Sequence, residues 1–152
     1  MHNTSGNSNQ GTAHKLVDLL DEKNQYLEKF FELNETELHC FADGNFDNVE
    51  NFYQSREKIL DIIRCLDVLV DDEVTALGEA AITATVRAEI QDLMDHKDRL
   101  AKQIIAQDLQ VLAAIEDEKS NIIRELKNTK QARKAVGAYH SGQTVRQLDD
   151  EI

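Results

Sequence analysis

The sequence predicts an all-α protein, an antiparallel helical hairpin packed on one long C-terminal helix in an extended, coiled-coil-like three-helix bundle. Three observations lead there. Proline is absent and only six glycines occur, so little interrupts a helix. Leu, Ile, Ala, Glu, Asp, Lys and Gln dominate, a usage that favours long helices over sheet. Apolar residues also recur at steps of three and four over most of the chain. Aromatics make up only 5% of the 152 residues and tryptophan is missing, so the core must come from aliphatic stripes within a single domain.

Taken in order, residues 1–11 are small and polar and read as a disordered tail. The helical domain spans 12–139. Thr12 suits an N-cap, and Leu16, Leu20, Leu27, Phe30, Phe31, Leu38 and Phe41 form the stripe of a first helix over about 12–42, with Lys23 and Asn34 in its polar gaps. Gly44 stops that helix. The surrounding stretch FADGNFDN sets Asp43, Asn45 and Asp47 at the first, third and fifth places of a calcium loop. Such a loop needs glycine at place six and glutamate at place twelve, where this chain has Asn48 and Gln54. The stretch therefore reads as a corner between two helices.

Asp47 or Asn45 can cap a second helix over about 46–71, with the stripe Val49, Phe52, Arg56, Ile59, Ile63, Leu66 and Val70. In DDEVTALGEAAI, residues 71–82, Gly78 weakens any helix, so a loop or a short separate helical turn is expected. A third helix covers about 83–138. Val86, Ile90, Leu93, Lys97, Leu100, Ile104, Gln107 and Val111 alternate steps of four and three, then the pattern slips to Ile115, Ile122, Leu126, Thr129 and Val136, a stutter. Gly137 ends it, and 140–152 form a flexible tail with a weak pattern in Val145, Leu148 and Ile152.

At 1.5 Å per residue the third helix is roughly 80 Å long and the hairpin about 45 Å. The hairpin covers residues up to about 115, which leaves Ile122, Ile123, Leu126, Val136 and Tyr139 without cover from their own chain. Uncovered apolar stripes usually mark partner surfaces.

Charge is segregated. Residues 1–118 hold 25 acids against 10 bases, residues 119–146 hold seven bases against Glu125, and the last six residues add three acids, for a total of −12. An acidic body repels nucleic acid, and the basic section lacks interleaved aromatics for base stacking, so no nucleic-acid role is expected. Lys119, Arg124, Lys127, Lys130, Arg133 and Lys134 flank the Ile122, Ile123 and Leu126 stripe, as in a helix that docks against another helix while its rim selects an acidic partner. Compensation of the helix dipole accounts for Arg133 and Lys134 but not for Lys119 and Arg124, three turns earlier.

Other chemistry is sparsely represented. Cys40 and Cys65 lack zinc-type spacing and read as reduced thiols. His2, His14, His39, His96 and His140 form no pair at helical ligand spacing, and no Glu-x-x-His motif of a di-metal bundle occurs. The acidic runs 71–73 and 116–118 read as solvated faces. No phosphate loop or nucleophile elbow is present, so neither enzyme activity nor a metal or cofactor is expected. No apolar run reaches the ~18 residues that insertion in a membrane needs. The start MHNTSGNSNQGT lacks the profile of a signal peptide, which makes the cytoplasm the expected location.

The stretch LVDLLDEKNQYLEKFFELNETELHCFADGNFDNVENFYQSREKIL resembles the N-terminal hairpin of FlgN/FliT-type flagellar export chaperones: a leucine-rich helix, a glycine–acid corner, then an Arg-Glu followed by aliphatics. IIRELKNTKQARKAVGAY is similar to the end of their long third helix, with its basic run and terminal tyrosine, so the likeness covers residues 16–139. The DDEVTALGEAAI stretch and the polar N-terminal residues match nothing in that pattern. The resemblance implies a cytosolic type III secretion chaperone. Such a chaperone binds the helical terminus of a flagellar subunit, more in the manner of a hook-associated protein chaperone than of a filament-cap chaperone. It prevents premature assembly and delivers the subunit to the export gate. It also implies that Ile115, Ile122, Ile123, Leu126 and Val136 contact the client and that Tyr139 meets the cytosolic domain of the gate. Two other readings stay open: a structural coiled coil that homodimerises through the C-terminal half of the long helix when free of client, and a metal-dependent bundle enzyme.

Overall fold

Without proline to break them, the described residues form three α-helices and no strand. A computed structural model of the protein describes residues 4–77 and 82–150, with side chains described for 11–77 and 82–140. The helices are α1 (Thr4–Ala42), α2 (Val49–Leu77) and α3 (Ala84–Asp150).

The α1–α2 corner is a Schellman cap. Gly44 has φ +76°, its N–H donates to the Phe41 carbonyl (3.0 Å), and the Asn45 N–H donates to the Cys40 carbonyl (2.8 Å). The Asn45 side-chain oxygen then accepts from the Asp47 N–H (3.0 Å), an Asx turn that redirects the chain. Phe46 stacks on Phe41 with ring centroids 4.5 Å apart, and Phe52 meets Phe41 edge-on at 6.4 Å. These rings fix the angle of the corner. Glycine is required here because an L side chain in this left-handed conformation is strained.

All three helices extend further than their sequence signals suggest. α1 starts at Thr4 and not at Thr12, so residues 4–11 are helical where a disordered tail is expected. Residues 1–3 lie outside the described ones. Once a helix is nucleated, Asn, Ser, Gln and Thr add to it at a cost of about 0.7 kcal/mol or less each, and Gly6 and Gly11 at about 1 kcal/mol each. α2 begins at Val49 after Asn48, whose carbonyl accepts from the Phe52 N–H (2.9 Å), so neither Asn45 nor Asp47 is its first cap. It passes Asp71 and Asp72 because both point outward, while half-buried Glu73 and buried Leu77 continue the period of Leu66 and Val70. Residues 71–77 thus continue α2, where a loop or a short separate helical turn is expected over 71–82; residues 78–81, Gly78 among them, lie outside the described residues. At its start α3 is capped by Thr83, whose hydroxyl accepts from the Val86 N–H (3.3 Å). It then runs through Gly137 to Asp150, so the tail expected from 140 is helical to that point. The side chains of Val145 and Leu148, and all of Ile152, lie outside the described residues.

By its contacts the chain divides into two units, Met1–Val111 and Leu112–Ile152. Within the first, Ala13, Leu16, Leu20 and Leu77 form a buried cluster against Val70, Ile82, Val86, Ile90 and Leu93. Lys23 pairs with Asp67 and Glu37 accepts from Asn48, so numbers rise along α1 as they fall along α2. Asn24 donates to the Leu93 carbonyl (3.0 Å) and Asn34 to Gln107 Oε1 (3.3 Å), so α1 and α3 rise together.

A polar layer interrupts the apolar stripes. Gln107 Nε2 donates to the Phe31 carbonyl (3.2 Å) and to Glu35 (2.8 Å), while Asn34 and Arg56 both donate to Asp108 Oδ1 (3.1 and 3.0 Å). The Arg56 guanidinium also lies 5.0 Å from the Phe30 ring centroid and 5.2 Å from that of Phe52. That explains an arginine in the stripe of α2. Two stripe positions on α1 shift by one residue from the sequence pattern: Asn24 is buried where Lys23 is half-buried, and Glu37 is buried where Leu38 is half-buried.

Two glycines give opposite expectations. A Cβ at either Gly44 or Gly137 meets nothing within 4 Å, so only the backbone decides. Gly44→Ala is expected to destabilise by about 1–2 kcal/mol, the cost of a left-handed alanine. Gly137→Ala should favour the local helix by roughly 1 kcal/mol. Urea unfolding checks the first, and helicity by circular dichroism with amide exchange near residue 137 checks the second.

Candidate functional site

One stripe runs along α3 through two environments. Leu100, Ile104, Gln107 and Val111 are buried, Val111 completely, at 0% exposure. Ile115 is half-buried, and from Ile122 to His140 every residue is exposed. On the line that continues the buried stripe, Ile122 stands at 48%, Leu126 at 59% and Val136 at 55% exposure. Ile123 flanks the line and is equally open.

Around these apolar residues stand Lys119, Arg124, Lys127, Lys130, Arg133 and Lys134, all exposed. None of the six forms an ion pair with a described residue. A row of solvated cations beside open aliphatic side chains can do two things chemically: bury apolar area against an amphipathic surface, and attract carboxylates at its rim. Tyr139 is exposed and its ring meets His140 at 6.2 Å, edge to face.

Other candidate chemistry takes a different form. A shallow groove beside α1 and α3 is lined by Val17, Asp18, Asp21, Glu89, Asp92 and Leu93. Four of these six are carboxylates, and among the described residues no group of three His, Cys, Asp or Glu side chains is placed to hold a metal ion. His96 Nε2 lies 3.0 Å from Glu28, an exposed contact between α1 and α3. Cys40 is half-buried and Cys65 exposed, both as free thiols. No helix among the described residues is long and apolar enough to cross a membrane.

The structure also shows a face that the sequence pattern does not single out. Ile105, Leu109 and Leu112 are each more than half exposed, and Met94 joins them upstream. They lie roughly a third of a turn from the buried stripe of the same helix. Their spacing of four and three was visible in the sequence, but it runs beside the stronger stripe through Ile104, Gln107 and Val111.

Compared with protein-family models, with curated proteins and with solved structures, the chain matches none.

The change of environment along α3 gives a direct expectation. Val111→Ala removes two buried methyl groups and should destabilise by roughly 2 kcal/mol or more, counting the cavity left behind. Val136→Ala, the same change on the same helix, should stay within about 0.5 kcal/mol of wild type. Paired urea titrations at one protein concentration measure both.

Proposed function

We propose that α1 and α2 form an antiparallel hairpin packed on one long helix, α3, and that this extended bundle is a cytosolic type III secretion chaperone. Its client is the helical terminus of a flagellar subunit of the hook-associated type. One observation carries the reading: the stripe that is buried at Leu100 to Val111 returns as apolar residues at Ile115, which is half-buried, and at Ile122, Leu126 and Val136, which are open and bordered by six cations. Aliphatic side chains that recur on one line of a helix, interrupted by Glu118 and Thr129, where their own chain leaves them exposed suit a helix from another molecule.

An amphipathic client helix with an acidic border fits this surface. Its apolar face covers Ile122, Ile123, Leu126 and Val136, while Lys119, Arg124, Lys127, Lys130, Arg133 and Lys134 align it. A client segment that is disordered alone gains helix on docking, and the buried apolar area offsets the entropy of ordering. Covering that segment also hides the surface through which subunits polymerise. No covalent step is involved. Tyr139, at the end of the same face, is the contact offered to the cytosolic domain of the export gate.

The test is co-purification from a lysate of the source cell, with bound proteins identified by mass spectrometry. Wild type is expected to retain one or a few flagellar subunits, and Leu126→Asp and Val136→Asp to retain at least tenfold less with unchanged helicity. Retention should also fall as salt rises, because the rim is solvated. If both variants recover the wild-type partners, or if wild type recovers no flagellar subunit, the proposal fails.

A further inference from the structure

We propose that α3 pairs antiparallel with α3 of a second copy of this chain, through a face distinct from the buried stripe. That face reads Ile105, Leu109, Leu112, Glu116, Lys119, Ile123 and Leu126, at unbroken steps of four and three. All seven are exposed. An unbroken heptad of this kind is the pattern of a two-helix seam, and its five apolar members have no described cover.

The two polar members specify the occupant. In an antiparallel pair centred between Asp117 and Glu118, Leu109 faces Leu126 of the other copy and Leu112 faces Ile123. Glu116 then faces Lys119, and by the two-fold symmetry Lys119 faces Glu116. Each apolar layer meets an apolar layer and each charge meets its opposite, so the face is self-complementary as an isologous interface must be. Just outside, Ile105 meets the aliphatic stem of Lys130, whose ammonium can reach solvent. A parallel pair in register sets Glu116 against Glu116 and Lys119 against Lys119, a like-charge arrangement that opposes it. The seam from Ile105 to Lys130 is about 38 Å long at 1.5 Å per residue.

This pairing does not rest on the chaperone reading. Leu112 and Glu116 belong to the seam alone, and Val136 belongs to the client surface alone, so substitutions separate the two.

The experiment is sedimentation equilibrium on the full chain over a range of concentrations. Wild type should be a dimer that Leu112→Asp converts to a monomer. Glu116→Lys and Lys119→Glu should each weaken the dimer about tenfold or more by placing like charges together. The double variant Glu116→Lys/Lys119→Glu should return to within about threefold of wild type, because it restores every opposite pair. Orientation is read in a Cys40→Ser/Cys65→Ser background: a Leu112→Cys chain mixed with an Ile123→Cys chain should form disulfides between the two kinds of chain in preference to either with itself. Circular dichroism confirms that each variant keeps its helix. A wild-type chain that stays monomeric up to about 100 μM overturns the proposal. So do a dimer indifferent to Leu112→Asp, charge variants that the double swap does not rescue, and disulfides that prefer like chains.

Discussion

The governing constraint is that an α-helix propagates cheaply while burial does not. Once α3 has nucleated at Thr83, each further residue needs only one more backbone hydrogen bond, so the helix continues through Gly137 to Asp150. Burying its apolar face requires neighbours at every turn. Those neighbours serve Leu100, Ile104, Gln107 and Val111 and do not serve Ile122, Leu126 or Val136. Backbone and side-chain requirements therefore separate along one continuous element. The unfolded alternative for the open part is disfavoured by its composition, in which Ala, Leu, Lys, Arg and Gln are frequent and all are strong helix formers.

The buried polar layer acts on the other side of this balance. Replacing Asn34, Gln107, Asp108 and Arg56 by aliphatic residues would leave a smoother stripe, one able to slide by a heptad and remain apolar. The existing groups bond only in one register: Asn34 reaches Gln107 and Asp108, and Arg56 reaches Asp108 from the second helix. A shift of one turn, about 5.4 Å, would strand all of them without partners. Such layers commonly cost stability and confer uniqueness. Asn34 Oδ1 and Glu37 Oε1, both buried and without a hydrogen-bond partner among the described residues, show part of that cost here.

Much of the first unit was legible from residues. The α3 stripe from Val86 to Val111 is buried or half-buried at every expected position, because a sustained step of four and three leaves only one face for the core. The corner at Gly44 was legible because only a left-handed residue explains glycine between two amphipathic runs. Helix ends were less so. Asp71 looks like a stop, yet the helix passes it because Leu77 gains a buried contact; Gly137 is passed among exposed neighbours, where only the small cost of extending an existing helix decides. The second face of α3 was missed for a related reason. Ile105 adjoins Ile104, and Leu112 adjoins Val111, so in a linear reading each merges with its buried neighbour, while the roughly 100° turn between successive residues places them on different sides.

Two faces on one helix are not independent. The seam proposed for self-pairing and the surface proposed for a client share Ile123 and Leu126, and Lys119 stands in one and at the rim of the other. A side chain buried in one interface cannot be buried in another. The client-free dimer and the client complex then exclude each other, and the balance between them follows mass action. Self-pairing scales with the square of the protein's own concentration, whereas client capture scales with the product of both. Under the two proposals together, the dimer would shield apolar residues that otherwise stand open to water, and a client would compete for Ile123 and Leu126 but not for Ile105, Leu109 and Leu112.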